Sequence, residues 1–393
     1  MDKNNCGKPQ FSGEWVRLGE LISKAKVARC GSADYPVLSM TMHDGIVEQS
    51  GRFKKAIAST DKSTYKVVNP GQLVVGFPID EGVLYVQNCG YSGIMSPAYN
   101  VWNIDADKVL PSYLELALHS PQSMNYYVSK IRGTTARRRS MPAETLCELP
   151  ISLPGHERQR NIVATLAHLK SQQDNAERQL ALLDTLVKSR FNEMFEDVKL
   201  PVIAFGDCCI HLRNGANIKQ EKGASGIPIT RIETLSNGKF NPDKMGFANI
   251  FSIDSYAKHR LLPGDILISH INSIAYLGRA VQYRGELGDS PVIHGMNLLG
   301  ARLKETFSPT YFEWYFKTPQ VSRYISSIAK KSVNQASFSV TDLKKMPIAI
   351  PPISSQLEFA AFVQQVDKLR FDVQQQIDKL ELLKNSLMQE YFG

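Results

Sequence analysis

The sequence predicts a mixed α/β protein: two globular domains separated by two long helices that pair antiparallel as a coiled coil, with pseudo-two-fold organisation. Three observations carry this expectation. They are a gapless internal repeat, heptads on two long segments, and strand-like runs introduced by proline in both halves. At 393 residues the chain can bury two or three cores of ordinary size.

The repeat comes first. Leu149-Pro-Ile-Ser-Leu-Pro154 returns as Met346-Pro-Ile-Ala-Ile-Pro351, an offset of 197 that holds without a gap through residue 393. Gln159 falls on Gln356, Leu183 on Leu380, and Phe195 on Phe392. The short apolar run between prolines reads as a strand and the segment after it as a helix.

Each helix carries heptads. Ile162, Leu166, Leu169, Leu180, Leu183 and Val187 form the seam of the first, with Ala176, Arg190, Gln173 and Met194 completing its a and d positions. Phe359, Val363, Val366, Val373, Ile377, Leu380 and Leu387 form the seam of the second. Apolar side chains every 3.5 residues need a partner helix, and the other copy is the obvious one. The pattern runs for about 33 residues, roughly 50 Å of helix at 1.5 Å per residue, longer than an ordinary core helix. Gln173 and Arg370 hold equivalent d positions and are expected to form a single polar layer that fixes register.

Weaker similarity links the segments before the helices. Val16-Arg-Leu-Gly-Glu20 matches Ile203-Ala-Phe-Gly-Asp207, and Tyr35-Pro-Val-Leu-Ser39 matches Ile227-Pro-Ile-Thr-Arg231. Val68-Asn-Pro-Gly-Gln-Leu-Val-Val75 matches Leu261-Leu-Pro-Gly-Asp-Ile-Leu-Ile268. The offset drifts from 187 to 193, so the loops between these strands differ in length.

Composition narrows the class. Hydrophobic residues make up 43% and charged residues 21%, as in soluble globular proteins. A net charge of +8 and a pI near 9.0 suit a polyanionic partner without requiring one. The cysteines at 6, 30, 89, 147, 208 and 209 form no C-x-x-C pair, so no metal site is expected and the thiols read as reduced. With no apolar leader core and no run of 18 apolar residues, the expectation is a cytoplasmic protein that no membrane holds.

Pro-Gly-Asp-Ile-Leu-Ile, the later Leu/Met-Pro-Ile-x-Ile/Leu-Pro, a nearby Gln and a long helix, all present twice, resemble the specificity subunit of type I restriction-modification systems. The resemblance spans nearly the whole chain. It implies target recognition domains at 1–155 and 197–352, with spacer helices at 156–196 and 353–393. It further implies that each domain reads half of a split, asymmetric site in double-stranded DNA, and that the chain assembles with methyltransferase (modification) and restriction (translocase/endonuclease) subunits. Pro-Gly-Gln at 70–72 in place of Pro-Gly-Asp, and Pro-Gly at 154–155 in place of Pro-Pro, depart from the pattern.

DNA contacts call for Lys and Arg at phosphates and for Arg, Lys, Asn, Gln, Ser and Thr at base edges. The candidates are the basic run Arg137, Arg138 and Arg139, and, opposite it at the repeat offset, Asn334 and Gln335 after Lys330 and Lys331. Polar residues after the strand-like runs add Ser39, Thr41, Thr230, Arg231, Glu233, His270 and Asn272. Each is also what a solvated loop would show. The aromatic run Tyr311–Phe316 has helical spacing and reads as core.

Bond chemistry has no motif here. The sequence lacks a G-x-x-x-x-G-K-[ST] loop, a G-x-S-x-G elbow and an Asn/Asp-Pro-Pro-aromatic motif. No catalytic residue and no cofactor are expected. The alternatives are the recognition part of a single-chain restriction enzyme, and a coiled-coil interaction scaffold that never meets DNA.

Overall fold

The computed structural model describes residues 13–393 except 43, 50–60, 132–139, 197, 222–225 and 333–334. The chain divides into two compact units, 1–177 with 375–393, and 178–374. Two helices of equal length, His156–Phe195 and Ile353–Phe392, each give one half to each unit. They run 40 residues, one heptad longer than the apolar pattern alone marks out.

In the first unit a four-stranded sheet has the order Ile22–Lys24, Asn100–Ile104, Leu73–Val75, Leu84–Val86, all antiparallel. In the second, Cys209–Asn214, Leu298–Leu303, Ile266–Ser269 and Ala280–Gln282 follow the same order. The repeated proline-bounded strand also finds the same mate in each. Pro150–Leu153 pairs with Glu14–Arg17, and Pro347–Ala349 pairs with Val202–Ala204. Among the described residues, no helix is long and apolar enough to cross a membrane.

The Pro-Gly turns explain one of the sequence departures. Gly71 and Gly264 both have positive φ, 82° and 98°, where a side chain would be strained. The next residue closes the turn from its side chain. Gln72 Oε1 accepts from Asn69 N at 2.8 Å, and Asp265 Oδ2 accepts from Leu262 N at 2.8 Å. The second partner changes in step. Gln72 Nε2 donates to Asn103 Oδ1 at 2.8 Å, whereas Asp265 takes a two-pronged bond from Arg302, 2.7 Å on each prong. A neutral amide pair in one unit stands where the other has an ion pair, and the turn is the same.

The helix seam is covered within each unit. In the first, Ile162, Leu166 and Leu169 from the start of one helix share a core with Leu380, Leu387, Met388 and Phe392 from the end of the other. In the second, Val187, Phe191 and Phe195 share a core with Phe359, Val363 and Val366. Start meets end in both, so the helices are antiparallel, as expected. Ile377 is buried as well, while Leu180, Leu183, Val373, Leu380 and Leu387 are half-buried. Near the end of the first helix the phase slips by one residue: Phe191 is buried where the heptads put Arg190. A straight helix of 3.6 residues per turn drifts about 20° per heptad against a 3.5 repeat, and the seam moves to the next residue. Arg190 turns out to Glu193 and Glu358. The expected polar layer is replaced by separate pairings inside each unit. Gln173 bonds Glu177 one turn along, and Arg370 holds Asp184 and Asp367.

Helix and domain are fastened by one buried carboxamide per unit. Gln159 Oε1 accepts from Leu110 N at 2.8 Å and its Nε2 donates to Pro154 O at 2.8 Å. Gln356 repeats this with Ser308 N at 2.9 Å and Pro351 O at 2.8 Å. The residues they grip open a second repeat, Pro-x-Tyr-x-Glu at 111–115 and 309–313, then Pro-Gln at 121–122 and 319–320. Its tyrosines bridge from helix to strand: Tyr113 Oη donates to Ser152 O at 2.7 Å, Tyr311 Oη to Ala349 O at 2.6 Å. Each also receives the ring that ends a long helix, Phe392 on Tyr113 at 5.4 Å and Phe195 on Tyr311 at 5.0 Å. Tyr311–Phe316 is core, as its spacing predicts.

Replacing Gln356 by Leu strands a buried N–H and a carbonyl, at a cost of about 1–3 kcal/mol. Thermal unfolding of Gln356→Leu and Gln159→Leu should show a lower midpoint in each. An unchanged midpoint in both would show that the carboxamides do not fasten the helices.

Candidate functional site

In the second unit, the strand from the Pro-Gly turn runs out through His270 into a short strand, Ile271–Asn272. That strand pairs with Ala336–Ser337, which pairs in turn with Lys330–Lys331. The fold thus gathers on one three-stranded sheet two candidate segments that lie about sixty residues apart in sequence. Lys330, Lys331 and Gln335 are exposed. The Asn272 side chain is half-buried, donating to Ser269 Oγ at 3.2 Å and accepting from Ser273 N at 2.8 Å. His270 is buried beside the Phe338 ring, and burial holds its pKa below the ordinary value. Asn334 lies outside the described residues.

The remaining candidates divide by what their polar atoms already hold. Thr230 is buried, its hydroxyl accepting from Gly295 N at 2.9 Å, which leaves it tying two loops together rather than facing a groove. Arg231 is half-buried and donates from Nε to Gln220 Oε1 at 2.7 Å; Glu233 is exposed. In the first unit, Ser39 is half-buried in the strand Leu38–Met40. Thr41 closes the turn after it, accepting from Asp44 N at 2.8 Å and donating to Gly45 O at 3.3 Å. Arg137, Arg138 and Arg139 lie outside the described residues.

Other polar clusters are structural in character. His294 is buried, its ring 5.3 Å from that of His259 and its Nδ1 3.1 Å from His259 O. Burial is the main cause that lowers its pKa to about 4. Burial likewise pushes the thiols of Cys208 and Cys209 up to about 12, which disfavours the thiolate form. A groove of about 1230 Å³ in this unit is lined by Asp184, Phe191, Trp314, Lys317 and Arg370 among others. Its Lys317 ammonium sits 3.9 Å over the Trp314 ring, and burial lowers its pKa. Among the described residues, no group of three or more His, Cys, Asp or Glu is placed to hold a metal ion.

The model of the type I restriction modification DNA specificity domain matches residues 202–382. The second half of the chain is thus similar to such a domain. A Methanocaldococcus jannaschii protein named as the MjaX specificity subunit of a type I restriction enzyme is 37% identical over 185 residues. That match takes in 46% of this chain and 42% of the relative, so less than half of its length. Two solved structures share the fold. One, described as showing complex assembly and conformational transition of the type I R-M system, has a TM-score of 0.60 at 18% identity. It covers 97% of each chain. The other, the S subunit of a type I restriction-modification system from M. genitalium, has a TM-score of 0.54 at 13% identity. It covers 100% of this chain and 98% of its own. The first half lies outside the matched segment, but its sheet order, Pro-Gly turn and glutamine repeat those of the second half.

The histidines give the second unit a pH dependence. An unfolded imidazole titrates near 6.5 and folded His294 near 4, so the unfolded chain binds the proton first. Stability is full above 6.5 and is lost as pH falls toward 4, by about 2 kcal/mol at pH 5 for this one residue. The unfolding midpoint should therefore drop between pH 7 and pH 5, and His294→Gln should shrink the drop. An equal drop in the variant would clear His294 of the role.

Proposed function

We propose that this chain is the non-catalytic DNA-reading subunit of a type I restriction-modification enzyme. Its two domains, 1–155 and 197–352, each read one half of a bipartite, non-palindromic site, and the spacer helices 156–196 and 353–393 join them. The chain recruits methyltransferase and restriction subunits, which supply the chemistry.

The observation that carries this reading is a specificity-domain scaffold used twice with different loops. Sheet order, turn and carboxamide are common to the halves, whereas the connections that would face a groove are not. Between matching sheet strands, the first unit has the eight residues 76–83 and the second the ten residues 270–279. Base readout depends on side-chain identity and placement, so unlike loops favour unlike half-sites. On the second unit, Lys330 and Lys331 are suited to phosphates, and Asn272 and Gln335 to base edges. Arg231 and Glu233, and Ser39 with Arg137 to Arg139 in the first half, are further contacts to DNA in the proposal. Thr41, Thr230 and His270 serve as supports.

Gel-shift titration with the methyltransferase subunit present should show one duplex bound at least about 10³-fold more tightly than random sequence. Equal affinity for all duplexes would overturn the proposal. Exchanging residues 1–150 for those of a relative should change one half of the recognised site. A change in both halves would refute independent reading by the two domains.

A further inference from the structure

The first unit gathers three cations from segments that are far apart in sequence. Lys24 ends the outer sheet strand opposite Trp102. Beyond it the chain stays extended, with Ala25 and Val27 turned to the core and Lys24 and Lys26 exposed. It then reaches Arg29, which bridges directly to Lys66 in antiparallel fashion. Arg29 is exposed and spends one guanidinium N–H on Thr64 O at 3.3 Å. Lys66 is half-buried and lays its ammonium on Tyr99 O at 2.5 Å, three residues before the mate of Lys24.

Burial first, and then the charges of Lys24 and Arg29, hold Lys66 below the ordinary lysine value. Among the described residues, no carboxylate forms an ion pair with any of the three. Gathered like charges disfavour one another, and an anion seated among them removes that penalty. Arg29 and Lys66 each spend one N–H on a backbone carbonyl and keep further donors, and ammonium and guanidinium donors match phosphate oxygens.

The second unit has a counterpart. Lys66 stands two residues before the segment Val68–Val75, as His259 does before Leu261–Ile268. There Arg213, from the matching first sheet strand, donates to Lys258 O at 3.2 Å. Lys258 and Arg260 are exposed. Cations thus recur where the first sheet strand meets the approach to the Pro-Gly turn, though the residues themselves differ.

We propose that Lys24, Arg29 and Lys66 form a DNA-phosphate clamp on the first unit, and Arg213 with Lys258 its counterpart on the second. The clamp rests on the DNA-reading proposal. It adds contacts that hold the duplex irrespective of sequence, from residues that no sequence run brings together. A clamp on phosphates positions the duplex, and the loops then read it.

The test uses the full chain and a labelled random-sequence duplex, with affinity measured across salt concentrations for wild type, Lys24→Gln, Arg29→Gln, the double variant and Lys108→Gln. Each phosphate contact contributes about 0.9 to the slope of log affinity against log salt. The single clamp variants should each lose about one unit of slope and the double about two, while Lys108→Gln, whose lysine pairs with Asp105, keeps the wild-type slope. Lys24 and Arg29 are exposed, so circular dichroism of the variants should match wild type. Wild-type binding with unchanged slopes in all clamp variants would overturn the clamp and leave the DNA-reading proposal standing. Absence of any wild-type binding, in the presence of the methyltransferase subunit, would overturn both.

Discussion

The apolar seam of the long helices is the constraint on which the rest of the structure depends. A 40-residue helix with one apolar stripe cannot cover that stripe alone. Here the stripe is covered by a second helix of the same length and opposite direction, at both ends, within two separate cores. Each domain is therefore built onto a piece of each helix. The start of a helix is pinned by its glutamine, and the end of the other arrives as a phenylalanine on the domain tyrosine. Because carboxamide and tyrosine both bond to backbone, the joint places few demands on neighbouring side chains, and the loops are free to diverge.

Much of this was legible in the residues. The gapless offset of 197 locates both helices and both proline-bounded strands, because backbone pairing and seam packing require the same residue types at the same spacing. Three features escaped. The Pro-x-Tyr-x-Glu repeat sits at an offset of 198, and the single-residue change before the strand hides it from a gapless comparison. The phase slip from Arg190 to Phe191 follows from helix geometry, which strict heptads ignore. The Gln72 and Asp265 departure reads as a weakened motif until the partner is seen to change from Asn103 to Arg302.

The candidate site was less legible, for a physical reason. A threonine in a polar run looks the same whether its hydroxyl faces solvent or ties down a neighbouring amide. Thr41 and Thr230 are of the second kind, and Lys330 with Lys331 are exposed. Composition cannot separate these cases, since only the fold says where each hydrogen-bond partner lies. Lys24, Arg29 and Lys66 show the converse. None belongs to a charge run, and they form a group only because an extended segment and two strands fold against one another.

Hydrogen exchange on a chain carrying Phe392→Ala tests the helix pairing most directly. Removing that ring loosens the first unit, so amide protection should fall in residues 158–177 and 375–391 and persist in 178–195 and 353–374. Protection lost along the whole of the second helix, with the first helix untouched, would mean that each helix belongs to a single core, and the shared seam would be wrong.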